Sequence, residues 1–231
     1  MSGFILSTAR WPEVEAGPRR LLVVPLGSLE QHGPHLPMDT DTRIACFVAA
    51  RACGGRAGVG LAPPVAIGAS GEHADFPGTL SIGTDALALV LVELGRHASL
   101  HWPAMLLVNG HGGNGPAIAD AVARLRAEGR ECHVWHAGLG SGAGDAHAGR
   151  TETSMMLALA PSEVLLDRAA AGDTRPIAEL LPELRAHGVR KVSPNGVLGD
   201  PAGASAAEGK QLLAQLVAGL NAKLDKLLTN G

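Results

Sequence analysis

Residues 21 to 41 read LLVVPLGSLEQHGPHLPMDTD, an apolar run followed directly by a polar loop. The run, residues 21–26, is short, continuous and closed by a glycine, which is typical of a strand buried on both faces of a parallel sheet. The loop concentrates side chains that bind metals or transfer protons: Glu30, His32, His35, Asp39 and Asp41. Ligands of open α/β sheets bind beyond the carboxyl ends of the strands, so a functional site is expected here.

Similar apolar runs alternate with helical patterns along the rest of the chain. Further strands are predicted at residues 58–65, 104–108 and 132–137, and helices at residues 42–52, 85–101 and 116–128. A last helix is predicted after a capping box at Ser205 and Glu208, with leucines at helical spacing as far as Leu228. This alternation predicts parallel strands with crossover helices, an α/β fold in which residues 1–231 form a single domain.

Composition excludes several classes of partner. The formal net charge is −3 and the basic residues are scattered, which argues against a nucleic-acid surface. No apolar run approaches the roughly 18 residues of a membrane span, and the N-terminus does not resemble a signal peptide. The three cysteines have no CxxC spacing, so neither a disulfide framework nor a zinc ribbon is indicated. We expect a cytoplasmic protein that binds neither nucleic acid nor membrane.

The first polar loop has the ligand chemistry of a transition-metal site. In an extended chain alternate side chains point the same way, so Glu30 and His32 face a common point. Carboxylate and imidazole together suit Zn, Mn or Fe rather than Ca or Mg. A hydrated surface turn accounts for this loop alone equally well.

Two more loops follow predicted strands. NGHGGN, residues 109–114, surrounds His111 with glycines that let the backbone pack closely. A phosphate cradle is the alternative, but the P-loop lysine is absent. DAHAGRTETS, residues 145–154, carries His147 and Glu152, which are otherwise explained as a loop histidine and a carboxylate favoured at a helix N-terminus. Three such loops at strand ends indicate one shared metal site.

The segments GSLEQHGPHLPMDTD, NGHGGN and HAGRTETS, in this order, resemble the creatininase (creatinine amidohydrolase) family. The resemblance implies a three-layer α/β/α fold with a mainly parallel central sheet. It also implies a homo-oligomeric two-metal hydrolase of amide-type C–N bonds, with Zn, Fe or Mn as the ions. By motif position the implied metal ligands are Glu30, His32, Asp41 and His111, and Asp41 bridges the ions.

Two departures from creatininase proper refine this expectation. Gly113 stands where creatininase has a metal-binding glutamate, and the resemblance to other branches of the family implies Glu152 as the fifth ligand. Creatininase clamps its flat ring with tryptophans near the third loop, but the segment from Gly138 to Ala146 contains no aromatic residue. This absence argues against creatinine as the substrate.

A narrower resemblance concerns the substrate. VRKVSPNGVLGDPAGASAAEG, residues 189–209, together with GDAHAGRTETS is similar to the branch of the family encoded with the mycofactocin biosynthetic system. It implies cleavage of a modified precursor peptide near its C-terminus. The alternatives are hydrolysis of creatinine or another small cyclic amide or formamide, and a non-catalytic metal- or nucleotide-binding module.

The implied ligand set assigns roles to the remaining polar residues. Glu30, Asp41 and Glu152 bring three negative charges against the four positive charges of two divalent ions, leaving a cationic site suited to an oxyanion. His147 is expected to protonate the leaving nitrogen or to stabilise the tetrahedral intermediate. The candidates for orienting the ligands are His35, Asp39 and Asp145, with a purely structural role as the default expectation for each.

Overall fold

The computed structural model describes residues 3–138 and 145–229, and within them five parallel strands form one sheet. The strands are β1 (Phe4–Ile5), β2 (Leu21–Leu26), β3 (Val59–Leu61), β4 (Ala104–Asn109) and β5 (Glu131–His136). They lie in the order β1-β3-β2-β4-β5, so β2 is central. The sheet confirms the predicted parallel α/β architecture.

The helices occupy the intervals between these strands and the C-terminal third of the chain. They are α1 (Trp11–Ala16), α2 (Thr40–Cys53), α3 (Thr84–Ala98), α4 (Gly115–Ala127), α5 (Arg150–Leu159), α6 (Ile177–His187), α7 (Val189–Val192) and α8 (Ala206–Thr229). Strand β3 is shorter than predicted. Pro63 and Pro64 follow it and have no amide hydrogen for the ladder, and only an isolated bridge joins Leu26 to Val65.

Alternate residues of β2 enter two separate hydrophobic cores. Leu22, Val24 and Leu26 pack with apolar residues of α3 and α4, whereas Leu21 and Val23 pack with those of α2, α5 and α8. All six residues of the strand are buried, and each buried leucine stabilises the fold by roughly 1.5–3 kcal/mol. Helices therefore cover both faces of the sheet, which is the predicted three-layer arrangement.

The start of α8 is bonded to α5. Ser205 Oγ accepts a hydrogen bond from the Glu208 amide at 3.2 Å, as the capping box predicts. In a capping box the glutamate would also accept from the Ser205 amide. Here the Glu208 carboxylate accepts from Ser154 Oγ and Arg150 Nε instead. A Cβ at Gly209 would overlap the carbonyl of Ser154, so the two helices pack backbone to backbone. This packing holds α5 and its first turn in place.

The carboxyl ends of β2, β3 and β4 meet at one edge of the sheet. The loop after β2 leads into α2, the segment after β3 contains a 3₁₀ turn at Gly71–His73, and β4 is followed by a 3₁₀ turn at Gly112–Asn114. The first turn of α5 reaches the same edge. No helix in the described part of the chain combines the length and hydropathy needed to cross a membrane.

Candidate metal centre

A buried cluster of carboxylates and imidazoles lies at this edge of the sheet. Within the described residues, three triads each place three potential ligand atoms within 4.8 Å of one another. The triads are Glu30, Asp41 and His111, then His32, Asp41 and Glu152, and finally Glu30, His32 and His147. The structure thus brings together all five ligands predicted from sequence, and His147 with them.

Asp41 has the geometry of a bridging ligand. Its Oδ1 lies 3.2 Å from His32 Nε2, and its Oδ2 lies 3.1 Å from His111 Nδ1. Ser28 Oγ donates to Oδ2 at 2.7 Å and fixes the plane of the carboxylate. Since Asp41 belongs to the first turn of α2, the helix dipole also favours its negative charge. Each carboxylate oxygen therefore faces a different triad.

The ring orientations of His32 and His111 suit metal binding. His32 Nδ1 donates to the carbonyl of Glu30 at 3.0 Å, and His111 Nε2 donates to the carbonyl of Ala69 at 3.1 Å. A carbonyl only accepts hydrogen bonds, so these nitrogens carry the protons. The opposite nitrogen of each ring faces Asp41 and is free to bind a cation. Metal-binding histidines usually have such an outer partner.

Glu30 requires a cation nearby. Its side chain is fully buried, and neither carboxylate oxygen accepts a hydrogen bond from the described residues. Burying a carboxylate without compensation is costly, and such groups are paired or coordinate metals. The residues present therefore fit a divalent metal centre.

The protonation of the cluster also shows its attraction for positive charge. Burial lowers the pKa of His32, but the adjacent Asp41 carboxylate more than compensates and raises it to about 10. Burial likewise opposes the charge on His111, yet Glu30 and Asp41 hold the pKa of His111 well above its usual value. In the absence of metal, protons on these rings balance the carboxylates, and metal binding displaces them.

Glu152 is held in the first turn of α5, toward the second triad. Its Oε2 accepts a hydrogen bond from the backbone amide of Ala148 at 2.6 Å and lies 3.9 Å from His32 Nε2. Ala148 has φ of 53°, the one positive value among non-glycine residues in the described ranges. Such a backbone costs of order 1–3 kcal/mol and is typical of functional sites. Burial raises the pKa of Glu152 to about 7, although His32 opposes the shift.

His147 directs a basic nitrogen toward the cluster. Its Nε2 donates to the carbonyl of Gln31 at 2.7 Å, which leaves Nδ1 unprotonated at 3.7 Å from Glu30 Oε1. Burial, followed by the charges of His32 and His73, holds the pKa of His147 well below its usual value. The ring is therefore neutral, and its Nδ1 directs a lone pair toward the cluster.

The three residues proposed to orient ligands occupy different places. His35 Nε2 lies 2.9 Å from Thr153 Oγ1, and Asp145 accepts from an amide in the first turn of α5. Both side chains thus hold the turn that carries Glu152. Asp39 instead pairs with Arg43 at 2.7 Å at the surface, where its side chain is 40% exposed.

Sequence reasoning missed the contribution of the segment after β3. His73, 3% exposed, places Nε2 at 3.3 Å from Glu30 Oε1, and Glu72 Oε1 lies 3.5 Å from His111 Nε2. Both belong to the 3₁₀ turn at residues 71–73. The signal was available, because this turn also follows a predicted strand.

A glycine is needed at position 113 because neighbouring atoms fill the space that a side chain would occupy. A Cβ there would overlap Glu72 Oε1 and His111 Nε2 and would lie 2.6 Å from the carbonyl of Ala69. We expect Gly113→Ala to displace the imidazole and weaken Zn²⁺ binding roughly 10- to 100-fold, the usual effect of disturbing a ligand's support. Gly112→Ala is the matched control, because no atom lies within 4 Å of its Cβ. Competition titration with a chromogenic chelator measures the Zn²⁺ affinity of both variants. Equal affinities would contradict this account.

The tryptophans lie away from the cluster. Trp102 is buried against Gly60 of β3, Trp11 is 74% exposed, and Trp135 contacts Gly219 of α8. None of them supplies an aromatic wall to the triads within this chain. Within the segment from Gly138 to Ala146, residues 139–144 lie outside the described residues.

Comparison with known proteins identifies the family of the chain. Residues 7–224 match the family model "Creatininase: Creatinine amidohydrolase". The chain is 53% identical over 215 residues, 90% of its length and 82% of the relative, to the mycofactocin precursor peptide peptidase of Mycobacterium ulcerans (strain Agy99). It is 31% identical over 193 residues, 68% of its length and 72% of the relative, to the creatinine amidohydrolase of Pseudomonas putida.

Solved structures give the same result for the fold. A tryptophan-to-alanine mutant of creatininase superposes with a TM-score of 0.81 at 27% identity, covering 97% of this chain and 98% of that one. A manganese creatininase gives a TM-score of 0.74 at 26% identity, covering 97% and 98% of the two chains. The chain therefore belongs to the creatininase family of hydrolases.

Proposed function

We propose that this chain is a two-metal peptidase that cleaves the mycofactocin precursor peptide near its C-terminus. Glu30, Asp41 and His111 would hold one ion, and His32, Asp41 and Glu152 would hold the other. The observation that carries the proposal is the placement of Asp41, whose two oxygens face the two triads separately. Zn, Mn and Fe all accept such a ligand set.

The proposed ligand set favours a catalytic centre over a structural one. Each triad supplies three protein ligands, and catalytic sites leave a position open for water or substrate, whereas structural zinc sites are closed with four. This openness argues against the alternative of a non-catalytic binding module.

The chemistry divides between the ions and the side chains. Two divalent ions held by these residues would activate water for attack and polarise the scissile carbonyl. His147 accepts the proton of the attacking water at Nδ1 and passes it to the leaving nitrogen. Its hydrogen bond to the carbonyl of Gln31 keeps the other ring nitrogen occupied and the ring correctly turned. Burial of the cluster strengthens these interactions by lowering the local dielectric.

Two observations support a peptide as the substrate. Identity to the mycobacterial peptidase is 53%, against 31% to the creatinine amidohydrolase and 35% to a formylaminopyrimidine deformylase of Methanothermobacter marburgensis. A cleft of about 600 Å³ is lined by residues 171–174 and 192–195. It adjoins Gly196, whose carbonyl accepts from Gln31 beneath the cluster. A segment of peptide can occupy this cleft.

Steady-state kinetics on metal-loaded protein test the substrate. We expect kcat/KM for a synthetic precursor peptide to exceed that for creatinine and for a formamide substrate by about 100-fold or more, since differential contacts set specificity. Removal of the ions with a chelator is the control and abolishes all turnover. A kcat/KM for creatinine or the formamide equal to that for the peptide would contradict the peptide assignment.

The proposal includes a homo-oligomer in the cytoplasm. Helix α3 carries Leu89, Val90 and Leu94 with exposed side chains, an apolar face suited to self-association. The cysteines Cys46, Cys53 and Cys132 are free thiols, as is usual in a reducing compartment.

A further inference from the structure

The side-chain amide of Gln31 has a single orientation. Its Oε1 accepts a hydrogen bond from the backbone amide of Gly33 at 2.8 Å, and its Nε2 donates to the carbonyl of Gly196 at 3.0 Å. An exchange of oxygen and nitrogen would put two donors together at one end and two acceptors at the other. The amide nitrogen therefore faces the cluster.

This orientation determines the tautomer of His73. Gln31 Nε2 lies 2.9 Å from His73 Nδ1, and because the amide nitrogen only donates, Nδ1 is the acceptor. The ring proton is then on Nε2, which lies 3.3 Å from Glu30 Oε1. Gln31 Nε2 also lies 3.1 Å from His147 Nε2, but that nitrogen carries a proton and donates to the Gln31 carbonyl. The second contact is therefore not a hydrogen bond.

His73 is thus reversed relative to the other imidazoles of the cluster. His32, His111 and His147 each donate outward to a backbone carbonyl and direct the other ring nitrogen inward, toward a carboxylate of the cluster. His73 accepts from outside and directs its N–H inward, toward the carboxylate of Glu30. A ring in this state cannot bind a cation, but it can orient a carboxylate that does.

We propose that His73, with its tautomer set by Gln31, is a positioning residue that holds Glu30 Oε1 and turns Oε2 toward the ion shared with Asp41 and His111. Glu30 forms a triad of potential ligands with Asp41 and His111, and its Oε2 lies 3.2 Å from the His111 ring at Nε2. Oε1 is also the oxygen that faces His147 Nδ1, at 3.7 Å, so an N–H directed at Oε1 would disfavour an ion in that triad and leave His147 available as a base. The inference rests on the proposed two-metal function.

Nitrogen-15 NMR of the histidine rings in metal-free protein tests the tautomer directly. In the wild type we expect His73 to be protonated at Nε2. In Gln31→Glu the carboxylate accepts a hydrogen bond from the ring, so the proton is expected at Nδ1. A wild-type His73 protonated at Nδ1 would overturn the inference, as would an unchanged tautomer in the folded variant.

Zn²⁺ affinity, measured by chelator competition, tests the positioning role. His73→Leu is expected to bind about 10- to 100-fold more weakly, whereas His73→Gln, whose amide nitrogen replaces Nε2–H, stays within about threefold of the wild type. His133→Leu, at a partly buried ring of β5 that belongs to none of the triads, is the control. Wild-type affinity in a folded His73→Leu protein would overturn the inference. A wild type without two ions would instead refute the two-metal function and leave the tautomer result intact.

Discussion

Asp41→Asn is expected to lose both metal ions and all measurable turnover. Asp41 is shared by the two triads proposed to hold the ions, and each of its oxygens faces a different histidine. The amide of asparagine keeps the shape but offers one neutral oxygen in place of two charged ones. Elemental analysis of purified protein, about two ions per chain in the wild type, measures the loss.

Matched variants distinguish the effect of losing the shared ligand, Asp41, from the effect of losing a ligand of one triad. His111→Ala and Glu152→Gln each remove a ligand from one triad, so each is expected to retain about one ion per chain and no turnover. Asp39→Asn removes a carboxylate two positions from Asp41 that pairs with Arg43, so both ions are expected to remain. Full metal content together with full activity in Asp41→Asn or His111→Ala would refute the two-metal centre.

His147→Ala is expected to keep both ions and to lower kcat by about 10²–10⁴, the usual effect of removing a positioned acid or base. The reason is the placement of Nδ1, which is unprotonated and 3.7 Å from Glu30 Oε1. Because the ring belongs to neither triad proposed to bind metal, its loss leaves the ligand sets complete. Single-turnover kinetics on zinc-loaded protein measure the rate of the chemical step.

His147→Gln distinguishes a proton-transfer role from a packing role. The glutamine amide can replace Nε2–H and its bond to the carbonyl of Gln31, but it has no basic nitrogen in place of Nδ1. The variant is therefore expected to be as slow as His147→Ala. Recovery of wild-type rate in His147→Gln would contradict the assignment, and loss of an ion in either variant would make His147 a ligand.

Glu152 and Gly113 illustrate how much a motif conveys about a site. The absence of a carboxylate at position 113 implied Glu152 as the fifth ligand, and the structure places that side chain with His32 and Asp41. The motif did not reveal Glu72, which lies beside His111 and fills the space that a side chain at position 113 would need. Motif spacing shows which residues follow a strand, but not which loops meet in front of it.

The sequence by itself determined the layered fold and the first members of the site. Strand β2 was predicted with its exact limits, because a six-residue apolar run with a glycine after it is a local pattern. Helices α2, α3 and α4 were predicted with their ends displaced by one to three residues, since helix ends depend on local hydrogen bonds more than on periodicity. Parallel strands align their carboxyl ends, so the loops carrying Asp41 and His111 were expected to meet.

Only the tertiary structure decided the hydrogen-bond partners and the ring tautomers in the site. The proton positions on His32, His73, His111 and His147 depend on which carbonyl or amide each ring contacts, and several of these partners are distant in sequence. Gln31 contacts Gly196, 165 positions away, and through that orientation selects the tautomer of His73. A hydrogen bond has a donor and an acceptor end, so its direction is defined only when folding brings the two partners together.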